Sequence, residues 1–140
     1  MRCVILKINI ADPKTTKTYN VEVDDKVKLS FIGKKIKDEV DLSFIDKSLK
    51  GKITGGSDKS GFPMYSSLNL EGRKKVLIPN GLAFKAKRKG ERKRRKVAGS
   101  IISESIQQVN VKLIAGEGKI LEEKYAKKKE DTKEETKGKK

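Results

Sequence analysis

The architecture of this chain can be read from Val4-Ile5-Leu6-Lys7-Ile8-Asn9-Ile10-Ala11-Asp12-Pro13-Lys14 and the run Tyr19-Asn20-Val21-Glu22-Val23-Asp24 that follows. Val4, Leu6, Ile8 and Ile10 fall on one side of an extended chain and Lys7 and Asn9 on the other, with Arg2, Cys3 and Ile5 blurring the alternation. Period two over this length is the pattern of a half-buried strand. Ala11-Asp12-Pro13-Lys14 supplies turn chemistry, since Asp bonds nearby backbone amides and Pro fixes φ. Tyr19, Val21 and Val23 then alternate with Asn20, Glu22 and Asp24, so the two runs predict a β-hairpin or meander.

Further along, Val27, Phe31 and Ile32 have helical spacing behind Asp24 or Asp25 as a cap, and Gly33 ends it, predicting a short helix within 25–36. Val40, Leu42 and Phe44 alternate and predict a third strand. Val76 and Ile78 mark another, stopped by Pro79-Asn80-Gly81, and Val109, Val111 and Leu113 a last one after a possible helix cap at Ser103 and Glu104. Many short strands without a long amphipathic helix predict a mostly-β chain, a small all-β barrel or sandwich, over residues 1–115. Residues 116–140 form a charged tail. Lys127 to Lys140 contains no apolar residue and cannot offset the entropy of ordering, so the tail is expected to be disordered, or helical in part around 119–129.

With 140 residues, one domain is expected. There is no His, which rules out Ser-His-Asp and Cys-His catalysis and His-ligated metals, and the lone Cys3 rules out an internal disulfide and multi-cysteine metal sites. Cys3 reads as a small core residue of a chain kept in a reducing compartment. No apolar run reaches the ~18 residues of a membrane span, and none resembles a signal peptide, so a cytoplasmic protein with no membrane partner is expected. The acids Asp24/Asp25, Asp38/Glu39/Asp41 and Glu122/Glu123 cluster in sequence but read as solvated acids that keep a basic chain soluble. No enzyme, no metal, no cofactor and no small-molecule substrate is expected.

The formal charge is +16, from 35 Lys and Arg against 19 Asp and Glu. Residues 1–50 carry 11 bases and 8 acids, residues 51–100 carry 14 and 3, and residues 101–140 carry 10 and 8. The excess therefore lies in the middle of the chain. Within 73–96 there are 12 cations, Arg73, Lys74, Lys75, Lys85, Lys87, Arg88, Lys89, Arg92, Lys93, Arg94, Arg95 and Lys96, against the single acid Glu91. Such a run repels itself and calls for counter-charge. Arg forks onto phosphate oxygens and Lys acts as a point charge, so a nucleic-acid backbone is the expected partner. Aromatic residues are only 5% of the chain, which argues for contact with backbone and shape rather than base stacking.

Thr54-Gly55-Gly56-Ser57-Asp58-Lys59-Ser60-Gly61-Phe62-Pro63-Met64 reads as a glycine-rich loop. It is not a nucleotide-binding Walker loop, because Phe62-Pro63 stands where Lys-Ser/Thr should follow Gly61. It fits two roles, a structural connection between strands and a nest of amides for phosphate. Gly55-Gly56-Ser57-Asp58-Lys59-Ser60-Gly61-Phe62-Pro63-Met64 also matches a Gly-Gly-x-Asp-x-x-Gly-x-Pro-Met signature. Together with Asp12-Pro13-Lys14, Tyr19–Val23, Ile32–Ile36, Lys87–Arg95 and Ile102–Ile106, it makes the chain resemble the small-subunit ribosomal protein six family of archaeal and eukaryotic type, in its short archaeal-like form. The resemblance spans residues 4 to about 114. It implies a compact β-barrel-like domain, bound to small-subunit ribosomal RNA and neighbouring ribosomal proteins in a ribosome engaged in translation, with no enzymatic activity. The signature residues Gly55, Gly56, Asp58, Gly61, Pro63 and Met64 are expected to hold backbone geometry, to touch RNA, or both. A free nucleic-acid module binding many targets shares the charge pattern and is the rival reading.

Overall fold

A computed structural model describes residues 6–115 and residue 121. The chain runs β1 (Leu6–Asp12), β2 (Lys17–Val23), α1 (Asp25–Phe31), β3 (Glu39–Asp41), β4 (Lys50–Asp58), β5 (Arg73–Ile78), β6 (Lys93–Ala98) and β7 (Ile106–Ala115). Five strands form one sheet in the order β2-β1-β7-β4-β3, and β5 and β6 form a separate two-stranded ribbon. The mostly-β expectation holds. The expected calls on Cys3 and on residues 116–140 as a tail fall outside the described residues, apart from Leu121.

The opening hairpin forms where the alternation predicts it. Leu6 pairs with Val23 and Asp12 with Lys17 in antiparallel register. Asp12 turns the chain, accepting hydrogen bonds from the Lys14 amide at 2.9 Å and the Thr15 hydroxyl at 3.0 Å. Leu6, Ile8, Ile10, Val21 and Val23 are buried on one face, as period two requires. β7 lies parallel to β1, with Ile8 beside Val109 and Ile10 beside Val111, and both ends of the fold meet at the centre of the sheet. β4 then pairs antiparallel with β7, putting Ile53 beside Val111.

The sheet is open rather than closed as a barrel. β2 forms one edge and the three-residue β3 the other, and the two do not pair. The apolar face is covered instead by helix α1 and loop residues: Phe31, Leu42, Ile102 and Leu121 belong to the same buried cluster as the strand residues. Phe31 meets Phe44 edge-on, with centroids 6.3 Å apart and planes at 70°. α1 is shorter than the segment 25–36 and ends at Phe31. Asp24 sits at the N-cap, where its backbone carbonyl, not its side chain, takes the amides of Val27 and Lys28. Gly33 follows with φ +84, a left-handed conformation that suits glycine and turns the chain out of the helix. No helix starts at Ser103 and Glu104. They make a turn, closed by the Ile106 amide on the Ser103 carbonyl, that leads into β7.

Half of the stretch read as a glycine-rich loop is strand. Gly55, Gly56, Ser57 and Asp58 are the last residues of β4, paired with Asn110, Val109, Gln108 and Ile106 through irregular register. The glycines mark close approach and bulging there rather than a loop. A Cβ on Gly56 would run into the Gln108 carbonyl oxygen and stand 3.1 Å from the Met64 sulfur, whereas one on Gly55 would meet nothing.

Candidate nucleic-acid interface

The ribbon carries most of the excess charge. Its register pairs Arg73 with Ala98, Lys74 with Val97, Lys75 with Lys96, Val76 with Arg95, Leu77 with Arg94 and Ile78 with Lys93. Residues opposite each other share a face, so Arg73, Lys75, Leu77, Arg94 and Lys96 lie on one side and Lys74, Val76, Ile78, Lys93, Arg95 and Val97 on the other. The second side buries Ile78 and Val97; the first is exposed except at Ala98. Lys75 directly opposite Lys96 is a like-charge pair, which weakens an isolated ribbon and favours one that holds counter-ions.

Lys85, Lys87, Arg88, Lys89 and Arg92 occupy the connection between the two strands and are all exposed. The connection is pinned at two points. The Asn80 side-chain carbonyl accepts the Ala86 amide at 3.0 Å, and Glu91 Oε2 accepts the Lys87 amide at 2.9 Å. The sole acid of the segment thus ties its own turn through backbone amides. Between the pins, Gly81 and Phe84 exchange backbone hydrogen bonds and present Leu82, 63% exposed, at the tip of a small turn.

Arg73 is set apart from the other eleven cations, being the one in an ion pair among the described residues. Its guanidinium Nε donates to Asp58 Oδ2, its Nη2 donates to Ser60 Oγ at 3.0 Å, and its Cζ lies over the Phe62 ring, 5.2 Å from the centroid. The hydrogen bond from Arg73 holds the Asp58 carboxyl below the ordinary carboxylate range, against the opposing effect of burial, and Asp58 in turn raises Arg73. Arg73 therefore fastens the ribbon to the signature segment.

The remaining signature residues serve the same junction. The turn after β4 closes with the Asp58 amide on the Phe62 carbonyl and the Gly61 amide on the Asp58 carbonyl, at 3.0 and 2.8 Å. Gly61 has φ +78, which a side chain would strain. Pro63 bridges back to Ser57, and the Met64 amide donates to the Gly56 carbonyl at 3.0 Å. Met64, buried in the core, also bridges Ala98 at the root of β6, whose amide donates to the Pro63 carbonyl. The amides of Asp58, Lys59, Gly61 and Met64 are all committed to backbone carbonyls, so they do not form an open nest.

The structure brings the ribbon and the signature segment together around a cleft of about 580 Å³, lined by Gly61, Phe62 and Pro63 on one side, Leu82 and Ala83 on another, and Lys75, Arg94, Arg95 and Lys96 beneath. Sequence reasoning missed Phe62 and Leu82 as parts of this surface. A Leu directly behind the turn-forming Pro79-Asn80-Gly81, as Leu82 is, was the signal available. The acidic groups do not gather: no cluster of three or more His, Cys, Asp or Glu fit for a metal occurs among the described residues. Nor does any helix among them have the length and apolarity to cross a membrane.

A small open sheet that projects a cationic ribbon, locked at its root by an Asp–Arg pair, defines a basic, mostly-β protein built to present positive charge. The profile of the family described as ribosomal protein S6e matches residues 6–125. The small ribosomal subunit protein eS6 of Methanoregula boonei is 40% identical over 137 residues, covering 94% of this chain and 96% of the relative. Those of Thermoplasma acidophilum and Archaeoglobus fulgidus are 44% and 37% identical over 116 and 127 residues, covering 82% and 89% of this chain and 93% and 98% of the relatives. The chain belongs to the S6e family of ribosomal proteins, a structural and non-enzymatic family.

Proposed function

We propose that this protein is a structural constituent of the small ribosomal subunit in the cytoplasm, where it binds folded small-subunit rRNA and neutralises its phosphates during assembly and translation. Neighbouring ribosomal proteins are its other partners. The observation that carries the reading is the ribbon. Apart from Arg73, the cations of 73–96 are exposed and their charged ends pair with no carboxylate among the described residues, on a scaffold whose own contacts keep like charges close. Phosphates packed against it relieve that repulsion, and the release of their counter-ions drives binding. The shared family and the subunit named for its relatives supply the setting.

The test is incorporation. Reversing Arg92, Arg94 and Arg95 to Glu in cells that depend on this protein is expected to move it from small subunits to the top of a high-salt sucrose gradient, with the thermal midpoint of the purified chain little changed. Normal incorporation of that variant overturns the reading. Crosslinks from residues 73–96 spread over many RNAs, rather than focused on small-subunit rRNA, favour a general nucleic-acid binder instead.

A further inference from the structure

We infer that the cleft between the ribbon and the signature turn receives a single unstacked nucleotide, extruded from otherwise folded RNA. This rests on the RNA reading above and goes beyond it, because a charge-neutralising surface needs no cavity and no apolar wall.

The cleft has both. It is an open groove of about 580 Å³, with room for one base laid against its wall rather than enclosed. Phe62 and Pro63 form a half-buried apolar wall, and Leu82, 63% exposed at the tip of its turn, lines the same groove. An exposed Leu in the most basic part of the chain has no role in a purely electrostatic surface. The ring of Phe62 is held in place on one side by the Arg73 guanidinium, which is itself fixed by Asp58 and Ser60. A preformed aromatic wall of this kind suits a planar base. Lys75, Lys96 and Arg94 share one ribbon face along the groove, with Arg95 flanking them, and no carboxylate among the described residues lines it. An apolar slot over a floor of cations fits a base joined to its phosphates. It does not suit a paired duplex, whose bases are not accessible for stacking.

The full-length chain is titrated with an RNA hairpin whose stem carries one unpaired 2-aminopurine, and with the same stem fully paired, at two salt concentrations. The bulged stem is expected to bind about tenfold tighter, the preference that one stacked base supplies. The 2-aminopurine fluorescence should change on binding, and the salt slopes of the two stems should match. Leu82→Ser, at an exposed turn outside the core, should lower the preference several-fold and leave the paired-stem affinity unchanged. Phe62→Leu, which keeps an apolar wall but removes the ring, should do the same. Equal binding of the two stems, or a preference that survives both substitutions, overturns the inference and leaves the RNA reading standing. Failure to bind either stem overturns the RNA reading as well.

Discussion

Asp58 and Arg73 show how one pair of side chains can organise a surface. Arg73 stands in a run of cations and reads in sequence as one more phosphate contact, because nothing local reveals an acid 15 residues earlier as its partner. Burial of Asp58 at 3% exposure makes the pair structural. The pH dependence follows from the sign of the shift. A carboxylate whose value is lowered on folding contributes stability above its unfolded value, here 3.8, and loses it as pH falls through the lower folded value. Thermal melts from neutral pH downward should therefore show a loss of stability below that value that is smaller in Asp58→Asn, the variant itself being less stable at neutral pH. Equal acid slopes in both proteins would remove the pair from the account. The two signature glycines separate in the same way. Gly56→Ala forces a methyl against the Gln108 carbonyl and should cost at least about 1–3 kcal/mol in denaturant titration. Gly55→Ala, with open space around it, should cost less. Equal costs would show that close approach is not what Gly56 provides.

Elements differ in how far they can be read from sequence. β1, β2 and β7 were legible because each has one wet face and one dry face, so apolar residues alternate along them. β6 was not, because Lys93-Arg94-Arg95-Lys96 is cationic on both faces and its period appears only at Val97. The last five residues of β4, Thr54 to Asp58, read as a loop in the sequence because glycine signals turns and bulges alike. The barrel expectation failed on α1 and loops, which cover the apolar face that a closing strand would otherwise have to cover. Of the candidate site, the charge was plain from composition. The cleft was not, because it needs Phe62 and Leu82 brought to the same ribbon by separate turns. The ribbon also sets an expectation of its own. If about six of its cations meet phosphate, affinity for structured RNA should fall with a log–log salt slope of roughly −4 to −5. Reversal of Arg92, Arg94 and Arg95 should flatten that slope by about half, and a slope near zero in the unaltered chain would rule out a phosphate-driven interface.

At the scale of the whole molecule, the core continues past β7. Leu121 is fully buried in the same cluster as Leu6, Phe31 and Val111, so the chain returns to the sheet after residue 115. We propose on this ground that the folded unit extends beyond 115, in keeping with a family match that runs to residue 125. Leu121→Ala should then destabilise the protein by about 2–5 kcal/mol, as large-to-small changes in a packed core do. A cost below about 0.5 kcal/mol, the level of an exposed site, would return the boundary to 115.

The place of β7 also fixes an order of events. It is the strand between β1 and β4, and among the described residues the last strand to leave the site of synthesis. Until it arrives, the opening hairpin has no neighbour on its inner side and β4 has only the three-residue β3. The sheet is thus a late event, set by contacts between distant parts of the chain. The ribbon draws its own pairing from residues 73–98 alone, all of them made before β7. A nascent chain of this protein exposes its most strongly cationic segment before it owns a finished core, and on the function proposed above the cell that makes it must shield that segment or deliver it promptly to RNA.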